Sequence, residues 1–232
     1  MTARWPRAVR PLLGAFGVLA VVHLGALLAS ATTLAHLTKP ALMPVLAAGV
    51  LARGGPPLLA GALLFGCGGD TFLQIGGDTV FLVGMASFAA GHVCYLVLAA
   101  RHGTSPGGRA RTGTLGAGYA AVLAATVVLL WPDLPADLRI PVAGYSLLLT
   151  AMAFGALRAG PWAAAGGLLF LLSDTLIASG IAHWPQLPGP QFWIMLTYAA
   201  AQLALAEGLL RAAAGAEGAG RRTARPPEAV AA

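Results

Sequence analysis

A succession of eight apolar stretches runs along this 232-residue chain, most of them near the roughly 20 residues that a helix needs to cross a bilayer. Proline, glycine and arginine separate them. They cover residues 11–30, 39–51, 56–75, 79–100, 114–131, 140–157, 161–182 and 190–210. The second is short and is expected to begin earlier, near Thr33. Only 9% of residues are charged, against about 25% in an ordinary soluble domain. The expected fold is therefore all-α and membrane-embedded: a bundle of eight transmembrane helices over residues 11–212. Residues 1–10 form a basic N-terminus, and the tail 213–232 has the composition of a disordered segment. The first stretch has the arginine-rich front and small-residue end of a signal peptide. Its apolar run exceeds the usual 7–15 residues of such a signal, so it is expected to stay as a helix.

The net charge of +6 does not point to nucleic acid, because the basic residues lie in the connections and tails. With the N-terminus cytoplasmic, twelve of them fall on that side: Arg4, Arg7, Arg10, Arg53, Arg101, Arg109, Arg111, Arg158, Arg211, Arg221, Arg222 and Arg225. Only Lys39 and Arg139 fall on the other. The bias predicts a multi-pass protein of the cell membrane with both termini cytoplasmic. Cys67 and Cys94 lie inside apolar stretches, where neither a disulfide framework nor a zinc site is readable.

Two carboxylates stand out because an ionisable group in a span is costly and normally faces the bundle interior. Asp70 lies in ALLFGCGGDTFLQIG and Asp174 in GGLLFLLSDTLIASG. By helix rise, each sits roughly 7–12 Å below the outer end of its span. The local sequences echo one another. Asp70-Thr71-Phe72 with Gly76 aligns to Asp174-Thr175-Leu176 with Gly180 at an offset of 104, as two four-helix halves would give. Each Asp reads either as one of a functional pair facing a common cavity or as a helix-to-helix hydrogen-bonding group.

Other polar residues gather around these spans. Lys39, the only lysine, reads as a snorkelling anchor or as counter-ion to a buried acid. His92 and Tyr95 are three apart and predict one helix face; Tyr198 and Gln202, four apart, predict another. Both pairs could equally be interhelical hydrogen-bond glue or core groups. Tyr145 in the sixth span and Ser173 beside Asp174 are weaker supporting candidates. Asp78 and Thr79 predict a helix cap after Gly76-Gly77, and Glu207 sits near the inner interface. The remaining histidines show no metal-ligand spacing. Fingerprints of P-loop, zinc-protease, serine-hydrolase and dinucleotide chemistry do not occur.

Five segments, TKPALMP (38–44), LLFGCGGD (63–70), GMASFAAGHVCY (84–95), LFLLSD (169–174) and TYAAAQ (197–202), together resemble the YhhN-like lysoplasmalogenase family in order and spacing. The resemblance covers roughly residues 11–210. It implies an eight-helix membrane hydrolase that cleaves the vinyl ether bond of lysoplasmalogens. The products would be a fatty aldehyde and glycerophosphoethanolamine or glycerophosphocholine. It also implies that Lys39, Asp70, His92, Tyr95, Asp174, Tyr198 and Gln202 form the polar site. Gly68-Gly69 departs from the family pattern, where bulkier residues are expected before Asp70.

The chemistry fits such residues. Protonation of a vinyl ether at carbon gives an oxocarbenium ion that water captures, and the hemiacetal collapses to aldehyde and alcohol. An acid and a base carboxyl divide this labour as in glycosidases. One lysine for two acids suits a shared-proton pair, and no metal or cofactor is called for. The expected partners are a lysophospholipid substrate and membrane lipids, with the substrate phosphate towards Lys39 or Arg139. The competing readings are a small proton-coupled transporter using Asp70 and Asp174 as a relay, and a hydrolase of another lysolipid or ether.

Overall fold

A computed structural model describes residues 6–104 and 107–223. Its elements are α1 (Pro6–Leu28), α2 (Thr32–Ala52), α3 (Pro57–Ile75), α4 (Asp78–His102), α5 (Arg109–Leu130), α6 (Ala136–Ala156), α7 (Pro161–Ile181) and α8 (Pro190–Thr223), with a single 3₁₀ turn at Leu157–Ala159. All eight helices are long and apolar enough to cross a membrane. No strand occurs among the described residues. Large apolar side chains such as Val21, Leu37, Ile75, Val128 and Ile140 are about two-thirds or more exposed. In water that pattern would be untenable; against lipid it is the natural outer surface of a spanning bundle, whose backbone polar groups are satisfied within the helices.

Local chemistry fixes the boundaries. Pro57 and Pro161 occupy the first turns of their helices, where the missing N–H removes no intrahelical bond. Gly76 and Gly77 both have positive φ, +80° and +87°, and make the abrupt reversal between α3 and α4 that a side chain would strain. Asp78 is the first residue of α4, with Gly77 at the cap position and no side-chain capping bond. The expected capping role is therefore not seen, and Asp78 serves the helix through its charge at the N-terminal dipole. Helix α2 begins at Thr32, close to the expected Thr33. Helix α8 continues to Thr223, so residues 213–223 of the tail expected to be disordered are helical; the remainder, 224–232, lies outside the described residues. Likewise α1 begins at Pro6, inside the segment expected to precede the first span.

Small residues set the closest packing. A Cβ on Gly166 would lie 2.7 Å from the Leu205 backbone nitrogen, and one on Gly208 would lie 2.3 Å from the Ala163 nitrogen. Such close backbone approach drives helix association where lipid removes the hydrophobic incentive. The α3–α4 and α7–α8 hairpins are the most intimately packed, with α1–α2 and α2–α3 next, while α5 leans chiefly on α6. At the end that carries the termini, Arg53 and Arg211 both bind Glu207, at 2.6 and 2.7 Å. Glu207 is thus a clamp between α2 and α8. Asp70, Asp174 and Lys39 lie nearer the opposite end.

Candidate functional site

Helix α2 contains two prolines, Pro40 and Pro44. A proline at position 44 has no N–H for the Pro40 carbonyl. That carbonyl instead accepts from the Cys67 thiol of α3, at 3.2 Å. The pairing draws α2 against α3 one residue beyond Lys39 and brings the two charges together. Lys39 Nζ lies 3.4 Å from Asp70 Oδ1, with side-chain exposures of 15% and 4%. Asp70 Oδ2 has no hydrogen-bond partner among the described residues. The Tyr198 phenol is an electrostatic neighbour of the same carboxylate.

Behind Tyr198 stands a hydrogen-bonded row. The Gln202 amide donates to the Tyr198 oxygen at 3.2 Å, and Tyr95 donates to Gln202 Oε1 at 2.5 Å. All three side chains are buried. The amide accepts from one phenol and donates to the other, so its orientation is determined, and with it that of Tyr198. Glycine makes the row possible: a Cβ on Gly66 would lie 2.8 Å from Gln202 Nε2 and 2.9 Å from the Tyr198 oxygen.

The second carboxylate has its own supports. Tyr145 of α6 donates to Asp174 Oδ2 at 2.5 Å, and His92 Nε2 meets the same phenol oxygen at 2.9 Å. With the phenol proton directed to Asp174, the imidazole is the donor in the second bond. Asp174 lines an apolar cleft among α4, α5, α6 and α7, with Leu73 of α3, Phe81, Phe88, Val122 and Ile177 among its walls. Since Tyr145 occupies Oδ2, Oδ1 is the oxygen that Asp174 can present there.

The two networks meet across aromatic rings. Phe170 packs edge-on to His92 at 4.7 Å and to Tyr198 at 5.5 Å between ring centroids. Phe88 completes the set, edge-on to Tyr198 at 5.9 Å. The carboxylates are close enough to sense each other's charge. They do not open into one cavity, however, which corrects the expectation that they would. Asp174 lines the apolar cleft; Asp70 lines neither cleft, and its partner Lys39 lines a second one. Leu73, one helical turn beyond Asp70, belongs to the walls of both.

The pattern of candidates shifts accordingly. His92 and Tyr95 share a helix but serve different networks, one at Asp174 and one behind Tyr198. Tyr145, the weaker candidate by sequence, is the direct partner of Asp174. Ser173 does not line either cleft; it donates to the Ile194 carbonyl at 3.2 Å and ties α7 to α8. Arg139 is engaged with the Leu134 and Pro132 carbonyls at 3.1 and 3.2 Å, bracing the α5–α6 connection. The Gly68-Gly69 departure has a packing reason: a Cβ at Gly69 would lie 2.4 Å from the Phe88 ring. The echo around the acids has a structural counterpart, since Thr71 and Thr175 each bond the carbonyl four residues back, at 2.8 and 2.7 Å.

His23 carries no motif and is missed by sequence. It is buried against Thr38, its Nδ1 lying 2.8 Å from Thr38 Oγ1. One signal was available: the two residues stand seven before and eight after Ser30, the turn of a helical hairpin, and so lie at equal depth.

Comparison with known proteins places this arrangement. A family model described as "YhhN family" matches residues 34–209. The chain is similar to "Lysoplasmalogenase TMEM86B" of Sus scrofa, 38% identical over 145 residues, 62% of this chain and 60% of that protein. It is similar to "Lysoplasmalogenase TMEM86B" of Homo sapiens at 37% over 160 residues, 68% and 66% of the two chains. For the Rattus norvegicus protein of the same name, the identity is 33% over 175 residues, 75% and 71%. The chain thus spans 60% and 66% of the lengths of the pig and human relatives. No solved structure matches it.

Proposed function

The chain belongs to the YhhN family, and from that premise we propose that it is a membrane-embedded hydrolase of lysoplasmalogens. The reaction splits the vinyl ether bond with water, giving a fatty aldehyde and glycerophosphoethanolamine or glycerophosphocholine. The names of the relatives support this substrate. The observation that carries the chemistry is the unlike setting of two neighbouring carboxyls: Asp70 has the Lys39 cation at 3.4 Å, whereas Asp174 has a phenol and an apolar cleft.

That difference supports the following division of roles. Asp174 is the acid: with Oδ2 held by Tyr145, Oδ1 delivers its proton to the vinyl carbon distal to the ether oxygen. The electron pair of the double bond forms the new C–H bond, and the ether oxygen shares the resulting positive charge. Asp70, ion-paired and with Oδ2 unpartnered, is the carboxylate that stabilises the cation and takes a proton from the attacking water; because it lines neither cleft, this role requires the bound substrate to open a passage past Leu73, the wall the two clefts share. On collapse of the hemiacetal its hydroxyl proton passes to Asp174, the carbon–oxygen bond to the glycerol breaks as the carbonyl forms, and Asp70 gives the departing oxygen the proton it took from water. His92 and Tyr145 are positioning residues for Asp174; Gln202 and Tyr95 hold Tyr198 beside Asp70. The apolar cleft suits the single hydrocarbon chain, and Lys39 the phosphate.

Both clefts, the two carboxyls and Lys39 lie towards the end of the bundle away from the termini. A transporter needs a path to both ends, so this distribution favours the hydrolase. Together with the arginine bias, it supports a site in the outer half of a cell-membrane protein whose termini are cytoplasmic. Purified protein incubated with lysoplasmalogen and with the corresponding ester lysolipid tests the reading. Release of aldehyde from the first and no fatty acid from the second is the expected result; the reverse would refute it.

A further inference from the structure

The second cleft is chemically unlike the first. It is walled by the ends of α1 and α3 and the beginnings of α2 and α8, and its polar lining includes His23, Ser30, His36, Lys39, Gln74 and Gln191, with no acidic residue. The histidine is 2% exposed, and its Nε2 has no hydrogen-bond partner among the described residues. Its tautomer follows from its neighbour. Thr38 has one hydroxyl proton, and that proton is directed to backbone carbonyls, Leu34 at 2.7 Å and Ala35 at 3.2 Å. Thr38 Oγ1 therefore meets His23 as an acceptor, and Nδ1 carries the ring hydrogen. In the neutral ring Nε2 is then a bare acceptor, buried beside a polar cleft. A group of this kind without a donor is costly, by the price of its lost hydration.

We propose that this cleft takes the glycerophospho portion of a lysolipid and that His23 Nε2 accepts a hydrogen bond from its free sn-2 hydroxyl, beside the Lys39 cation that receives the phosphate. The assignment rests on the lysolipid reading above and adds the residue that distinguishes a lysolipid from a two-chain lipid. An acylated sn-2 oxygen has no proton to give. It would leave Nε2 unpartnered and carry a second chain into a polar space. A site built around a substrate hydroxyl rejects the analogue that lacks it more strongly than an apolar pocket rejects a missing methylene. The hydrocarbon chain would continue past Leu73, the wall common to both clefts, towards Asp174.

The test uses binding rather than turnover. The full chain in detergent micelles is titrated with a saturated 1-O-alkyl glycerophosphocholine carrying a free 2-hydroxyl, and with the same ether lacking that hydroxyl. Neither ligand has a vinyl ether to cleave. The unaltered protein should favour the hydroxyl ligand on the order of 10–100-fold, the size of one buried hydrogen bond. His23→Leu should bind both ligands alike, at the affinity the unaltered protein has for the deoxy ether. Thr38→Val keeps the ring but removes the acceptor that fixes its tautomer, and should lose much of the preference, which provides a second route if His23→Leu does not fold. Equal binding of the two ligands by the unaltered protein, binding of neither, or a preference retained in both variants would overturn the assignment. Hydroxyl preference without aldehyde release from lysoplasmalogen would refute the hydrolase reading and leave His23 in place. Aldehyde release without the preference would do the opposite.

Discussion

Replacing Lys39 by Met removes a cation 3.4 Å from a carboxylate that is 4% exposed. At an effective dielectric of about 20, the attraction across that distance is on the order of 5 kcal/mol before solvation costs. Breaking a buried pair from one side costs about 3–5 kcal/mol, because the surviving charge is left uncompensated. Asp70 is poorly placed to recover, since Oδ2 already has no partner and Tyr198 alone remains beside it. Lys39→Met should therefore leave a folded bundle that is less stable by about 3–5 kcal/mol. Adding Asp70→Asn removes the stranded charge and should restore most of that loss. Activity should not follow stability. Aldehyde release should fall by at least about 10²-fold in Lys39→Met, where Asp70 loses the cation that positions it, and stay down in the double variant, where the base itself has been removed. Denaturant unfolding in mixed micelles and an aldehyde assay on the same preparations separate the two effects. A double variant that regains activity along with stability would show that Asp70 has no part in the chemistry. Unchanged stability and turnover in Lys39→Met would return Lys39 to the role of a membrane anchor.

Asp70→Asn and Asp174→Asn should each lower aldehyde release by about 10²–10⁴-fold, with the double variant little worse than the poorer single, since residues acting as a unit are not additive; additive losses in single-turnover measurements would separate their roles. Tyr145→Phe should lower kcat by roughly 10–100-fold with little change in KM, the effect of losing one donor to a charged or reacting carboxyl. Gly69→Ala, whose new methyl would meet the Phe88 ring at 2.4 Å, should cost about 1–3 kcal/mol of stability by overpacking, read by denaturant unfolding. Reporter fusions at Gly103 and Trp131 should give cytoplasmic and external signals respectively, and an external signal at Gly103 would reverse the proposed orientation.

The bundle was legible because its governing constraint is one-dimensional. A run of apolar residues long enough to span, closed by Pro, Gly or Arg, fixes a helix whatever it packs against. Where the expectation fell short, the reason is local: at α2 the polar Thr33, His36 and Lys39 interrupt the run, and at α8 the alanine-rich sequence past Leu210 continues the helix beyond its apolar part. The site is different in kind, because its meaning lies between helices. Asp70, Asp174 and Lys39 announce themselves by the cost of burying charge. Tyr145 does not, since a tyrosine in a span is cheap; only the register of α6 against α4 and α7 puts its oxygen between His92 and Asp174. The same ambiguity applies to His92 and Tyr95, whose spacing gives a shared face but not the width of that face, wide enough here to feed two networks.

Glycine is where these two kinds of information join. Gly66 and Gly69 look, in sequence, like a loosening of α3 just before its carboxylate. In the fold they are the opposite, since each is the only residue that lets a bulky neighbour close over the site: Gly66 admits Tyr198 and Gln202, and Gly69 admits Phe88. The helix that carries Asp70 gives up its own side chains so that two other helices can supply theirs. Asp70 is consequently held by groups from α2, through Lys39, and α8, through Tyr198, while Asp174 is held by α6 and, through Tyr145, by α4. Each acid is thus oriented by helices other than its own, and the ring of Phe170, one turn before Asp174 on α7, touches both supporting networks. The same contacts that bring the two carboxyls near one another keep their surroundings unlike, one with a cation and one without, and acid–base division of labour requires that difference.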